Sequence, residues 1–428
     1  MWGLSLSETI EAQRHPVAWD VAIIGAGIVG LACAWALQRQ GLRVLLLDRE
    51  GIAEMASRGN AGAIAVSDIL PLASPGIIRK APKWLLDPLG PLAIPLPYLP
   101  RIVPWLWHFW RASSPSRVEA ATHALASLMA LSERETAALF EDLELTGELR
   151  PNGALYLYES EAEFRRALPG WRRREEYGIA YSQVSGGAIR ELEPALSPRF
   201  VKALRVEQWT YVSDPHKVCR MIGERLIERG VEFRKTEVRT MEPRGERVAL
   251  SLADGTTLEA GYAVIAAGAW SHHLSAPLGD RLPLESERGY NTTIPEPGID
   301  ITHELIFEEH GFVAVQLEGG LRIGGADELA GLTRPPNYAR AAAMLKKSEG
   351  FFPGLQTAGG VQWMGHRPSL PDSLPAIGQA RCSRNIVYAF GHGHLGLTQA
   401  AATGRLVADL VAGKEPAIDI HPFRPQRF

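Results

Sequence analysis

Three glycines and one acid carry the plainest chemistry in this sequence. Gly25, Gly27 and Gly30 stand in the pattern G-x-G-x-x-G, with Ile28 and Val29 among them, and Asp48 follows. N–H groups at the start of a helix, together with the positive end of its dipole, stabilise a pyrophosphate. Gly25 permits the tight turn, Gly27 lets the backbone approach the phosphates, and Gly30 lets helix and strand pack closely. Asp48 is the acid expected to hold an adenosine ribose.

These residues need a strand before them, a helix after them and a second strand to deliver the acid. Val21–Ile24 reads as a buried strand, Leu31–Gln38 as a helix and Arg43–Leu47 as the second strand. Strand, glycines, helix, strand and acid in that order predict an α/β dinucleotide-binding unit. The run from Val21 to Gln38 has no charge, but its glycines suit a strand plus helix better than a membrane span or a signal segment.

At 428 residues the chain suits two domains or one large composite, and 46% hydrophobic content is ample for a core. A net charge of −3 argues against binding nucleic acid through phosphate neutralisation. Cys33, Cys219 and Cys382 are scattered and form no CxxC pair, so neither a disulfide framework nor a zinc site is expected and a reducing, cytoplasmic home follows. No GxSxG elbow, HExxH pair or Cys/His cluster offers a nucleophile or a metal site. The stretch Pro88–Trp110, with Trp105, Trp107, Phe109 and Trp110, has too many prolines for a continuous spanning helix. Packing in a second domain is favoured for it over peripheral contact with a membrane. No role is assigned to Met1–Trp19.

Further along, helices are predicted over Ala120–Leu145, Glu161–Tyr177 and Asp214–Gly230. Strands are predicted over Gly153–Tyr158, Val231–Val238, Arg247–Leu252, His303–Phe307, Phe312–Leu317 and Leu321–Gly324. Asp254-Gly255 marks a hairpin, and Tyr262–Trp270 is a strand ending in a glycine turn. The closing strand Ile386–Phe390 runs into Gly391–Gly396 and a helix whose small face includes Ala400, Ala401 and Gly404. An NAD domain needs no such late unit, whereas the isoalloxazine of FAD needs a cradle of its own. A helix N-terminus there would stabilise negative charge on reduced flavin.

The motifs GAGIVGLACAWAL, Ser57-Arg-Gly-Asn60-Ala61-Gly62, Arg288-Gly289-Tyr290, Gly365-His-Arg367-Pro368-Ser-Leu-Pro-Asp372 and GHGHLGLT span most of the chain. In type and order they resemble the FAD-dependent D-amino-acid oxidase/dehydrogenase family, with the greatest likeness to bacterial D-amino-acid dehydrogenases and their D-hydroxyproline-oxidising relatives. The resemblance implies an α/β fold with a glutathione-reductase-like, Rossmann-type FAD domain and a second, mixed-sheet α+β substrate domain, as in D-amino-acid oxidase. Segments 1–80, 205–280 and 360–428 are expected in the first domain, and 81–204 and 281–359 in the second. By position match, Asn60, Ala61 and Gly62 pass beside the flavin ring, with Ser57 also in the expected cofactor set, Val238 flanks the adenine, and Ala267 and Gly268 pass the pyrophosphate. Arg49, Gly365, Gly393, His394, Leu395, Gly396, Leu397 and Thr398 complete the expected cofactor set.

The implied reaction moves a hydride from an amino-acid α-carbon to flavin N5, which requires the substrate carboxylate to be fixed. Arg367, in the GxRP motif, is the expected clamp, since guanidinium pairs with carboxylate in a bidentate fork. It also counts among the residues at the cofactor. Tyr290 is expected to donate its phenol to the same carboxylate, His394 to touch flavin or substrate, and His366 to approach a ring hydroxyl; His392 either packs in the loop or joins them. Cys382 does not stand where relatives with covalent flavin carry their cysteine, so noncovalent FAD is expected. The implied substrate is cis-4-hydroxy-D-proline or D-proline. A glycine/sarcosine-type amine oxidase and a flavoprotein subunit of a heteromeric dehydrogenase are the alternatives. Oxygen, a quinone or an electron-transfer protein would take the electrons.

Overall fold

The computed structural model describes residues 19–74, 90 and 92–428. Trp19–Ile24 runs parallel to Val44–Asp48 on one side and to Thr257–Ile265 on the other. Glu232–Lys235 and Ser383–Phe390 extend this parallel set at its two sides. Val238–Arg244, Arg247–Leu252 and Ala376–Ala380 add antiparallel strands, making eight in all. Both faces of the parallel strands are covered, which explains why they read as unbroken apolar runs. Val21, Ile23, Val44 and Leu46 share a core with helices Ile28–Gln38, Pro215–Glu228 and Gly396–Val411. Ala22, Ile24, Leu45 and Leu47 pack on the opposite face with Leu250, Tyr388 and Phe390.

The first and last of those helices lie directly on each other. A Cβ on Gly404 would stand 2.4 Å from Ala32 O, so only glycine permits the approach. The predicted helices appear as Pro115–Asp142, Glu161–Glu175 and Pro215–Glu228. Asp214 caps the last of these by accepting from Lys217 N at 2.9 Å. The single strand expected over Val231–Val238 is instead two, Glu232–Lys235 and Val238–Arg244. The chain breaks between them where Thr236 N donates to Asp48 O at 2.8 Å.

The larger, nine-stranded sheet runs in the order Val361–Ser369, Glu285–Ile294, Gly320–Leu329, Phe312–Leu317, Glu304–Phe307, Ala154–Tyr158, Lys202–Val206 and Ser182–Ser185, with Leu92–Ala93 beside Gly320–Leu329. The strand Val361–Ser369 pairs along its length with Glu285–Ile294. Segment limits of 281–359 and 360–428 put it with the nucleotide-binding strands, but hydrogen bonding puts it in this sheet; residue alternation does not announce which sheet a strand will join. The limit at 80/81 lies outside the described residues, as does all of Met1–Trp19 except Trp19.

Within the aromatic stretch, Leu99–Ala112 forms a helix despite Pro104, while residues 88, 89 and 91 fall outside the description. Ile102 and Trp105 pack against Leu329, but Trp107 and Trp110 stay about half exposed, so only one face meets the expectation of packing. Among the described residues no helix is long and apolar enough to cross a membrane.

Candidate active site

A continuous cavity of about 1250 Å³ lies between the two large sheets. It starts near Asp48, Arg49 and Val238, passes Gly25, Gly27, Ala267 and Gly268, and reaches Asn60, Ala61 and the start of the last helix. Gly25 adopts φ +111°, and a Cβ there would stand 2.3 Å from Ala266 O. Gly30 does not line the cavity. Its missing side chain lets the helix sit on the turn itself, since a Cβ would lie 1.8 Å from Gly25 O. Ser57 Oγ accepts from Ile28 N at 3.0 Å, so it helps the helix begin.

Asp48 is partly committed to shaping this turn. Its Oδ2 accepts from Ala26 N at 2.8 Å, and its Oδ1 accepts from Glu50 N at 2.8 Å and Gly51 N at 3.1 Å. A carboxylate has about four acceptor sites, which leaves one on Oδ2 for a ribose hydroxyl. The Arg49 guanidinium lies over the Trp270 ring, 4.5 Å from its centroid.

At the other end, Asn60 folds its loop back by accepting from Gly62 N at 2.7 Å and donating to Ser57 O at 3.1 Å. Gly62, at φ +81°, therefore closes the turn from behind and does not line the cavity. Arg322 Nη1 donates to Asn60 O at 2.6 Å and fastens this loop to the larger sheet. Thr398 Oγ1 accepts from Ala65 N at 3.0 Å, joining the same loop to the last helix. Gly393, His394, Leu395, Gly396 and Leu397 line the cavity beside it.

Arg367 reaches the cavity, but it is not alone. Its Nη1 donates to Glu287 Oε1 at 3.2 Å and also pairs with Asp327 Oδ1. Beneath it is Gly289, where a Cβ would collide with Arg367 Nη2 at 2.3 Å. The Nε–Nη2 edge has no protein acceptor among the described residues, so this edge is where a carboxylate can dock. Burial would raise Glu287, but Arg367, His394 and the Ser369 hydroxyl outweigh it and hold the carboxyl below its ordinary range. Asp327 goes the other way: enclosure in the cleft and then the charge of Glu287 push it up to about 7.

Tyr290 lines the cavity, but its phenol is engaged elsewhere. Along Glu285–Ile294 the side chains alternate: Glu287 and Asn291 reach Arg367 and Gly59 O, while Arg288 and Tyr290 take the opposite face. Tyr290 Oη donates to Glu328 Oε2 at 2.5 Å and accepts from Asn337 N at 3.0 Å, so its phenol is spent inside the sheet. His366 is also occupied. Its Nδ1 meets Ser286 Oγ at 2.7 Å, its ring packs edge-on against Trp270, and burial with the charges of Arg288 and Arg49 brings it down to about 4. His392 packs in the core against Thr403 Oγ1 at 2.9 Å, and burial lowers it to about 3. His394 stays exposed at the cavity, close enough to Glu287 to favour its charge.

A family model described as FAD dependent oxidoreductase (DAO) matches residues 20–410. The chain belongs to this family. It is 38% identical over 420 residues to a D-amino-acid oxidase of Bradyrhizobium diazoefficiens, covering 96% of this chain and 100% of the relative. It is 33% identical over 426 residues to a D-amino acid dehydrogenase of Paramagnetospirillum magneticum, covering 95% and 98%. In fold it is similar to glycine oxidase from Geobacillus kaustophilus, with a TM-score of 0.76, 24% identity and coverage of 96% and 99%.

FAD is thus the cofactor of this DAO-family chain, and its residues suit it. The glycine turn and the free acceptor on Asp48 lie at one end of the cavity, and a helix start with no side-chain cap lies at the other. Three cavity residues were missed in the sequence. Glu287 could have been found from alternation with Arg288-Gly289-Tyr290. Asp327 could not, because it is aimed by an irregularity in strand pairing at Ala326, a non-glycine residue at φ +56°. Trp363 lies across two glycines of the expected motifs: a Cβ on Gly59 or Gly365 would enter its ring, at 2.3 and 2.0 Å.

Proposed function

We propose that this FAD-dependent oxidoreductase oxidises a D-amino acid at its α-carbon, with cis-4-hydroxy-D-proline or D-proline as the first substrates to assay. The observation that carries this reading is the open Nε–Nη2 edge of Arg367, presented over Gly289 into the cavity. A fork of that kind orients a carboxylate as well as binding it. Bound flavin supplies the hydride acceptor. Arg367 anchors the carboxylate, Glu287 holds the guanidinium in place, and His394 borders the same space. The two curated relatives, an oxidase and a dehydrogenase of D-amino acids, support the substrate class.

FAD is proposed to be held noncovalently, since none of Cys33, Cys219 and Cys382 lines the cavity. The single chain is proposed to work alone, with the two domains divided near the expected limits except that Val361–Ser369 goes with the larger sheet. Peripheral contact with a bilayer is proposed through Trp107 and Trp110, which vesicle co-sedimentation of the wild type against W107S/W110S would check.

The deciding experiment is anaerobic mixing of the yellow protein with D-proline, cis-4-hydroxy-D-proline, other D-amino acids, their L-enantiomers, glycine and sarcosine. Bleaching by D- but not L-enantiomers is expected. Bleaching by glycine or sarcosine alone would replace the reading with an amine oxidase.

A further inference from the structure

Glu287 and Asp327 both reach the Nη1 side of Arg367, but only one of them opens to the substrate. The Glu287 side chain is 9% exposed, and its second oxygen is closed off by the Ser369 hydroxyl at 2.9 Å. The Asp327 side chain is 44% exposed and lines the cavity. Its Oδ1 meets Arg367 Nη1, and among the described residues no protein N–H or hydroxyl is directed at its Oδ2. Strand pairing explains this placement. Gly289 faces Asp327 across the ladder while Tyr290 faces Gly325, so Ala326 is an extra residue in its strand. The bulge sets Asp327 opposite the very glycine over which the Arg367 guanidinium lies.

An α-amino acid in water is charged at both ends. Arg367 answers the carboxylate, and the ammonium is attached one carbon away, so it enters the same part of the cavity. A cation held there without a counter-charge is costly. The nitrogen must also shed a proton, because only the neutral amine has the lone pair that closes a C=N bond. We propose that Asp327 receives the ammonium group of the substrate and takes one proton from it before the α-carbon is oxidised. An N–H bond breaks and an O–H bond forms on Asp327. The α-hydrogen then leaves with its electron pair for oxidised FAD, the nitrogen lone pair forms the C=N bond, and the proton on Asp327 passes to water in the cavity. This step deepens the reading above and rests on Arg367 as the carboxylate anchor.

Neighbouring groups suit the task less well. Arg367 and the Ser369 hydroxyl hold Glu287 in its charged form, His366 spends Nδ1 on Ser286, and His392 packs in the core. Asp327, pushed up to about 7, titrates where a general base is most effective. Facing it are Arg367 and Glu287, from strands Val361–Ser369 and Glu285–Ile294, with His394 beside Glu287 from the last loop. Leu92–Ala93 brings no charge, and Arg340, on helix Ala339–Glu349, directs Nη2 to the Asp327 carbonyl at 3.2 Å. Above about 7 Asp327 is charged and attracts the ammonium, and below that it is neutral and does not.

The test uses the FAD-loaded full chain and its Asp327→Asn variant, with flavin content read from the visible spectrum. The first readout needs no turnover. 2-Aminoisobutyrate, which has no α-hydrogen, and 2-hydroxyisobutyrate, its isostere without the cation, are titrated against the flavin spectrum at about pH 6 and about pH 8. Wild type is expected to prefer the amino acid at least tenfold at the higher pH and to lose most of that preference at the lower. Asp327→Asn is expected to show no preference at either. The second readout is kcat/KM for D-proline with an artificial dye acceptor as a function of pH. Wild type is expected to rise through about 7 and then level off. Asp327→Asn is expected to fall at least tenfold below it on the plateau and to climb throughout, following the free amine in solution.

A wild-type preference that is the same at both pH values, or one that survives Asp327→Asn, overturns the assignment. So does a variant profile that keeps the limb near 7. If no D-amino acid bleaches the flavin but the preference for 2-aminoisobutyrate depends on Asp327, the ammonium site stands and the D-amino-acid reading fails. If D-proline bleaches the flavin while Asp327→Asn leaves the profile and the preference intact, the reverse holds.

Discussion

Replacing Arg367 tests the site most directly. The guanidinium has two edges with different partners. Nη1 is spent on Glu287 and Asp327, while Nε and Nη2 face the cavity above Gly289. A substrate carboxylate on the open edge gains two charge-assisted hydrogen bonds, each worth about 1.5–3 kcal/mol. Arg367→Leu removes both and leaves the Glu287 carboxylate facing the substrate's own. Together these amount to about 3–6 kcal/mol, or roughly 10²- to 10⁴-fold in kcat/KM. Arg367→Lys keeps the charge but loses the fork, so it is expected to fall between leucine and wild type. The assay is the anaerobic rate of flavin bleaching against substrate concentration, with the flavin content of each variant measured by its visible spectrum. Both variants should remain yellow, because the nucleotide end of the cavity is built without Arg367. An Arg367→Leu enzyme that keeps kcat/KM within threefold while loaded with FAD would refute the assignment.

Three further outcomes follow from neighbouring features. Gly289→Ala puts a methyl group where Arg367 Nη2 now lies and should lower kcat/KM at least tenfold, mostly through KM, with FAD retained; bleaching kinetics check this. Gly30→Ala forces the first helix off the turn at Gly25 and should yield protein that does not hold FAD through gel filtration, as the ratio of visible to ultraviolet absorbance will report. The raised Asp327 carboxyl stabilises the fold while protonated, so its contribution is complete below the ordinary aspartate range near pH 4 and is lost as pH rises through about 7. Asp327→Asn should therefore gain on wild type in Tm between pH 5 and 8, and a pH-independent difference would count against the raised value.

The nucleotide end was legible because its determinants are local. Gly25, Gly27, Gly30 and Asp48 act within one strand–helix–strand unit, and backbone sterics at each glycine leave few alternatives. The larger sheet was legible in pieces. Phe312–Leu317 and Arg247–Leu252 have the predicted limits, yet the neighbours of Val361–Ser369 depend on pairing with residues far away in the chain. Arg367 was singled out by its motif and lines the cavity, but the company it keeps was not foreseen. Neither the motif nor the chemistry of Tyr290 reports that its phenol turns to Glu328.

The contact between Gly404 and Ala32 sets an order of events during synthesis. The dinucleotide turn leaves the ribosome early, but the helix that must rest on its neighbour is made about 370 residues later. At about 5–20 residues per second, the nascent first half waits roughly 20–75 s for this partner. Cofactor loading therefore waits for the last helix, and a chain stopped short of Gly404 should emerge colourless and prone to capture by chaperones.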